Sequence, residues 1–285
     1  MKSKKRSRKL SSGVGEPSSL SPFQFPGAKS WVRPAVLAWL RSLPGRPALF
    51  IEPFAGSGAV SLAVAELNLT DRVILVEHNP ELAAFWNVIF GKAWPNLRKR
   101  IRHFKPTRKS VIRELSRRPS GKAALAFQSL VKNRFNRGGS LLPGTKGLRR
   151  GSFKTFWHPA ALLSRIAKIQ ALQPRLQFVA GDGFKVMEEY LFRQQTAFFL
   201  DPPLAPNESA GGPRPYRCND VEPKRLFKVA TCAWGDCLLL LSNSPEIRRL
   251  AVAHDLEGPE TDLSRIRSRS RKELLLAKLA DEPVV

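Results

Sequence analysis

An α/β fold with a doubly wound parallel sheet is predicted by three stretches of this 285-residue chain. Each is a short apolar run that delivers an acid: Ala48 to Ile51 runs into Glu52, Val73 to Val76 into Glu77, and Ala197 to Leu200 into Asp201. Runs of this kind read as strands buried on both faces, which belong to parallel sheets covered by helices. The intervals carry apolar residues at helical spacing, as crossover connections in such a sheet require.

In chain order, residues 1 to 20 hold six basic residues before position 10 and then serine, glycine and proline, and are expected to be a disordered basic tail. A solvated tail, an auxiliary phosphate-binding arm and a nuclear address are all open for it. Trp31 to Leu43 has helical spacing and is stopped by Pro44-Gly45. After the first strand, Gly56 and Gly58 let the backbone turn sharply and approach a ligand, and Val60 to Ala65 continues as a helix. Phe50 to Val60 therefore reads as the floor of a nucleotide-cofactor pocket, with an ordinary strand-to-helix turn as the alternative. Glu77, about 20 residues after the glycine turn, is placed to accept hydrogen bonds from ribose hydroxyls; a cap or a solvated strand end is the plainer reading. Asn79-Pro80 opens the next helix as N-cap and first-turn proline, and Trp86 in it belongs to the core.

Residues 92 to 158 change character, with many lysines and arginines among Phe, Trp, Gly and Asn and little sheet signal. Arg134, Arg137, Arg149, Arg150 and Lys154 lie close to Asn133, Asn136, Phe135 and Phe153, a mixture that suits phosphate contacts, base-edge hydrogen bonds and wedging side chains. His158-Pro159 starts another helix, and Leu176 to Val179 is a strand that ends near Asp182. At Asp201-Pro202-Pro203 the chain must leave the sheet with a stiff, extended backbone, because proline cannot continue a central strand. Ala205 to Val221 is a loop over the site with Tyr216 as its large aromatic; Leu226 to Ala233 is a helix and Cys237 to Ser242 a buried strand. Arg265, Arg267, Arg269, Arg271 and Lys272 form a basic ribbon, read either as phosphate contacts or as a solvated strand face.

The strand, glycine turn, strand-end acid and Asp-Pro-Pro step resemble an S-adenosylmethionine-dependent adenine-N6 methyltransferase, and more closely the DNA adenine methylase family of Dam and DpnII-type enzymes. The resemblance covers roughly residues 21 to 280. It implies a Rossmann-like methyltransferase domain formed by residues 21–91 and 159–285, with residues 92–158 as an inserted, mainly helical target-recognition region. Phe25, Gly27 and Lys29 in Phe25-Pro26-Gly27-Ala28-Lys29 stand where the family contacts the two ends of its cofactor. Glu52, Pro53, Phe54, Gly56 and Gly58 match its cofactor loop almost letter for letter, and Asp182 and Phe184 in Gly181-Asp182-Gly183-Phe184 match the segment that meets the adenine. Leu241 to Ser244 resembles the strand end after the catalytic loop, and Lys272 to Leu276 the closing strand. The catalytic tetrad would be Asp201, Pro202, Pro203 and Leu204, with Leu204 in place of the family's aromatic, and Asp201 also facing the cofactor. That departure opens a second reading, a relative that binds cofactor and nucleic acid without useful turnover; an RNA adenine methyltransferase is a third.

The formal net charge of +25, from 48 Lys and Arg against 23 Asp and Glu, points to a polyanionic partner, with DNA as first choice. No apolar run approaches the roughly 18 residues that span a bilayer. Cys218, Cys232 and Cys237 are too few and too irregular for a disulfide framework or a four-ligand zinc site, so reduced thiols in a cytoplasmic protein are expected. None follows a proline, which disfavours a Pro-Cys nucleophile of the cytosine-5 methyltransferase kind. A monomer is expected, and the resemblance implies that no metal is needed, since S-adenosylmethionine already carries the activated methyl.

Overall fold

The computed structural model describes residues 20–24, 32–141, 147–203, 221–256 and 273–280. Six strands form one sheet in the order β3-β2-β1-β4-β5-β6. They are β1 Leu49–Glu52, β2 Arg72–Glu77, β3 Leu176–Ala180, β4 Thr196–Leu200, β5 Asp236–Ser242 and β6 Glu273–Lys278. The first five are parallel, and β6 runs antiparallel against β5. The chain steps outward from β1 to β3, crosses back to pair β4 with β1, and then steps outward the other way. The order therefore reverses between β1 and β4, and ligands of such sheets bind in the crevice at the carboxyl ends of the strands where it does.

The strands alternate cleanly between two cores. Phe50, Val73, Leu75, Ala197, Phe199, Leu238 and Leu240 point to one face, while Ile51, Ile74, Val76, Phe198, Leu200, Leu239 and Leu241 point to the other. Helices α1 Val32–Ser42, α2 Ala59–Glu66, α3 Pro80–Ile89 and α7 Pro159–Ala171 cover the first face. Helices α8 Gly183–Glu189, α9 Pro223–Cys232 and α10 Pro245–Ala253 cover the second. The result is a three-layer, Rossmann-like α/β arrangement. Asn79 caps α3 as its sequence predicts, with its side chain accepting from the N–H of Glu81 and Leu82 and Pro80 in the first turn.

Between α3 and α7 lie α4 Trp94–His103, α5 Arg108–Ser116 and α6 Lys122–Phe135. They share the first core: Leu97, Ile101, Val111, Phe127, Leu130 and Phe135 belong to the same hydrophobic cluster as Trp86 and Leu75. Helix α6 is buried from Ala126 to Phe135 on every side, which decides the fate of its polar residues. Among the described residues no helix is long and apolar enough to cross a membrane, and no group of His, Cys, Asp and Glu is arranged to hold a metal ion.

Candidate functional site

At the carboxyl end of the sheet, in the crevice between β1 and β4, lies a cavity of about 290 Å³. Pro53, Phe54 and Gly56 line it from the turn after β1, Glu77 and His78 from the tip of β2, Asp182 and Phe184 from the start of α8, and Asp201 and Pro203 from the end of β4. Residues predicted from four separate stretches thus share one cavity. A larger space of about 540 Å³ lies at the amino end of β2 and β3, lined by Arg72, Arg175 and Gln177, away from these strand tips.

Two of the predicted cofactor residues stand behind the wall rather than on it. The Glu52 Oε2 atom accepts from the Ser61 N–H at 2.9 Å and its hydroxyl at 2.5 Å, so this buried carboxylate satisfies one of the free N–H groups in the first turn of α2. Gly58 has φ +64° and no room for a side chain, since a Cβ there would come within 2.8 Å of Leu75 and Trp86. Both act by shaping the turn. Gly56, also left-handed at φ +53°, does line the cavity.

Glu77 is 7% exposed and its Oε1 atom accepts from the Asn79 N–H at 2.6 Å. Burial drives its carboxyl up from the ordinary 4.5 to about 7, against the pull of the Asn79, Gly56 and His78 backbone N–H groups. Below about pH 4.5 the acid is neutral folded or unfolded; as pH rises through about 7 the folded chain alone resists ionisation. Stability of roughly 3 kcal/mol is therefore lost across that window. Glu77→Gln, which keeps the accepting oxygen, is expected to remove that loss. Thermal denaturation at about pH 5 and about pH 8 checks it: an equal drop in parent and variant would mean that Glu77 does not titrate there.

Phe54 meets Phe184 edge to face at 5.7 Å, and the Arg225 guanidinium lies 4.2 Å over the Phe184 ring while also pairing with Glu188 at 2.9 Å. The ring face thus already receives a planar, delocalised group, the property an adenine would use. Asp182 caps α8 by accepting from the Phe184 N–H at 2.9 Å. Gly183 approaches β1 so closely that a Cβ would fall 2.2 Å from the Pro53 carbonyl oxygen. Pro202 is buried, and the Val221 N–H donates to the Pro203 carbonyl at 3.2 Å. His78, Gly183, Val221, Glu222 and Arg225 also line the cavity and were not singled out from the sequence. His78 could have been, since it directly follows Glu77; Arg225 depends on where α9 docks.

The expected nucleic-acid residues divide. Asn133 is fully buried: its amide oxygen accepts from the Gln24 N–H at 2.8 Å and its amide nitrogen donates to the carbonyls of Gln24 and Gly139. Arg134 is 9% exposed and donates to the Pro22 carbonyl at 2.7 Å; burial, with Arg165 and Arg149 nearby, pulls its guanidinium down to about 10. Asn136 is buried and donates to the Ser140 carbonyl. Asn133 and Arg134 are corrected from base or phosphate contacts to a clamp on residues 20–24, a segment whose Ser21 hydroxyl donates to the Ser57 carbonyl in the glycine turn, and Asn136 is corrected to a brace on the turn that follows α6. The signal for this was available in the apolar residues around them, Leu125, Ala126, Phe127, Leu130, Val131 and Phe135, which leave α6 no solvent face at its end. Arg149 donates to the Asn136 carbonyl and lies over Phe156, half-buried, whereas Arg137, Arg150 and Lys154 are exposed. Phe25, Gly27, Lys29, Leu204, Tyr216, Cys218 and the 265–272 ribbon lie outside the described residues.

Comparison with known proteins adds no family to this geometry: no protein-family model matches the chain, and no curated protein matches it significantly.

Proposed function

We propose that the chain is an S-adenosylmethionine-dependent methyltransferase acting on adenine N6 of a flipped-out base in duplex DNA, with residues 92–158 as its target-recognition region. The observation that carries this reading is the shared cavity at the β1/β4 crevice, where Glu77, Asp182, Phe184 and Asp201 converge although they come from three separate stretches of the chain. Its character supports a cationic nucleoside-like ligand. The cavity of a chain with net charge +25 is lined by four acids, Glu77, Asp182, Asp201 and Glu222, against one arginine.

Glu77 would hold the ribose hydroxyls, Phe54 and Phe184 would border the adenine, and Asp182 would lie beside them. S-adenosylmethionine, when bound, supplies an electrophilic methyl and a neutral leaving group. The chain's own task is the amine, whose lone pair is delocalised into the purine ring. The Asp201 carboxylate and the Pro202 carbonyl, held by consecutive prolines, would accept the two N6 hydrogens and turn the lone pair outward. A duplex base reaches such a site only by leaving the stack, and its usual grip is an aromatic face.

Leu204 offers no such face, and it motivates the second reading, a cofactor- and nucleic-acid-binding relative with impaired turnover. Stacking on an aromatic is worth about 1–3 kcal/mol per base. Leu204→Tyr is accordingly expected to raise the single-turnover rate roughly tenfold, about 1.4 kcal/mol, with cofactor affinity unmoved. A slower variant would mean that another ring already grips the base. The reading as a whole is tested with tritiated S-adenosylmethionine and mixed duplex DNA and RNA, followed by nucleoside analysis. Label in N6-methyladenine of DNA supports it, label only in RNA moves the substrate to RNA, and no label leaves the binding relative.

A further inference from the structure

We infer that the outer face of α4 and α5, rather than the Asn133 to Lys154 segment, is the surface on which the phosphate backbone of duplex DNA docks, without regard to sequence. The inference rests on the proposed action on duplex DNA and adds where that partner sits.

Between Lys92 and Lys122 eleven lysine and arginine side chains are exposed, and the one acid, Glu114, is already committed to Arg100 at 3.7 Å. The periodicity separates these charges from the core. On α4, Leu97 and Ile101 are buried while Arg98, Lys99 and Arg102 are exposed; on α5, Val111 is buried while Arg108, Lys109 and Arg113 are exposed. Folding does not call for this arrangement. Arg108 and Lys109 occupy the first turn of α5, where cations oppose the helix dipole, and Lys109, Arg113 and Arg117 repeat like charges at four-residue spacing. A polyanion relieves both conflicts.

The charge is also lateral. On the other face of the sheet α8 and α10 interleave signs, Lys185 with Glu188 and Glu189, and Arg248 with Glu246; α9 carries Lys224, Arg225 and Lys228, of which Arg225 pairs with Glu188. A membrane is a poorer match than DNA, because the exposed face of α4 and α5 offers Ile112, 36% exposed, as its one large apolar side chain. Base reading is a poorer match as well, since direct readout favours Asn, Gln and Arg poised by neighbours, whereas evenly spread cations serve phosphates.

The test uses the full chain and two triple variants, Arg98→Gln/Lys99→Gln/Arg102→Gln and Arg108→Gln/Lys109→Gln/Arg113→Gln. A third variant, Lys228→Gln/Arg248→Gln/Arg249→Gln, removes the same charge from the opposite layer. Binding of fluorescent duplexes of about 30 base pairs and unrelated sequence is followed by anisotropy across salt concentration. Each α4 or α5 variant is expected to bind at least about tenfold more weakly at about 0.15 M salt, equally for all duplexes, with the slope of log affinity against log salt reduced by about 3. The opposite-layer variant should match the parent. Equal losses in all three variants, no loss in the first two, or a loss confined to one duplex sequence would overturn the inference. So would tighter parental binding to RNA duplex or to phosphatidylserine vesicles than to DNA. Thermal unfolding of each variant guards against misfolding, and the two triples substitute for one another if one fails to fold. Calorimetry with S-adenosylmethionine separates the two proposals: no cofactor binding with the expected DNA losses sinks the methyltransferase reading alone, and cofactor binding with unaltered DNA affinity sinks the docking surface alone.

Discussion

If the chain acts as proposed, Asp201→Ala is expected to lower methyl transfer to adenine by about 10²–10³-fold or more, the scale on which removing one preorganised polar contact to a reacting group acts. The carboxylate comes from the end of a fully buried strand, and the two prolines after it leave the backbone few alternatives. Its effect should fall on the chemical step, so S-adenosylmethionine affinity should stay within a few fold. Asp201→Asn should fall between parent and alanine, because it keeps one accepting oxygen and replaces the other with a donor that faces the N6 hydrogens. Single-turnover transfer of tritium label, with thermal unfolding as a check on folding, measures both. An alanine variant that transfers at the parental rate would put the chemistry elsewhere.

Gly183→Ala should have the largest structural effect of any single methyl in the site. A Cβ at position 183 falls 2.2 Å from the Pro53 carbonyl oxygen and 2.9 Å from the Pro53 carbonyl carbon, so the turn after β1 and the start of α8 must separate. Overpacking against backbone costs about 1–3 kcal/mol. The same separation moves Pro53 and Phe54 away from Asp182 and Phe184, adjoining parts of the cavity wall, and on the proposed reading cofactor affinity should fall at least about tenfold. Gly181→Ala is the control, since its Cβ would meet nothing within 4 Å. Denaturant unfolding and calorimetry of the two variants decide the point: equal stability and affinity would mean that the close approach at Gly183 is not required.

The elements of the sheet were legible because their signals are local. An apolar run of strand length, a glycine turn and an Asn-Pro helix start each carry their cause within a few residues, and β1, β2, β4, α2 and α3 fall where those signals lie. The strand-tip acids were legible for the same reason, and parallel topology then brings such tips to one edge. Helices α8 and α10 were not read, as short helices with no long apolar stripe.

What the sequence by itself determined was the α/β class, the strand ends and the acids they carry, since these follow from propensity and periodicity along the chain. Only the tertiary structure decided where side chains point. Asn133 and Arg134 looked like nucleic-acid contacts among neighbouring cations, but their partners, Gln24 and Pro22, lie 109 and 112 residues away and turn them inward. Glu52 was turned toward Ser61 when α2 packed its N-terminus onto it, and the basic side chains of α4 and α5 became one exposed face only when Leu97, Ile101 and Val111 were buried. The physical reason is common to all three: a polar side chain's direction is set by which apolar face its element must bury, and that face is chosen by partners far along the chain.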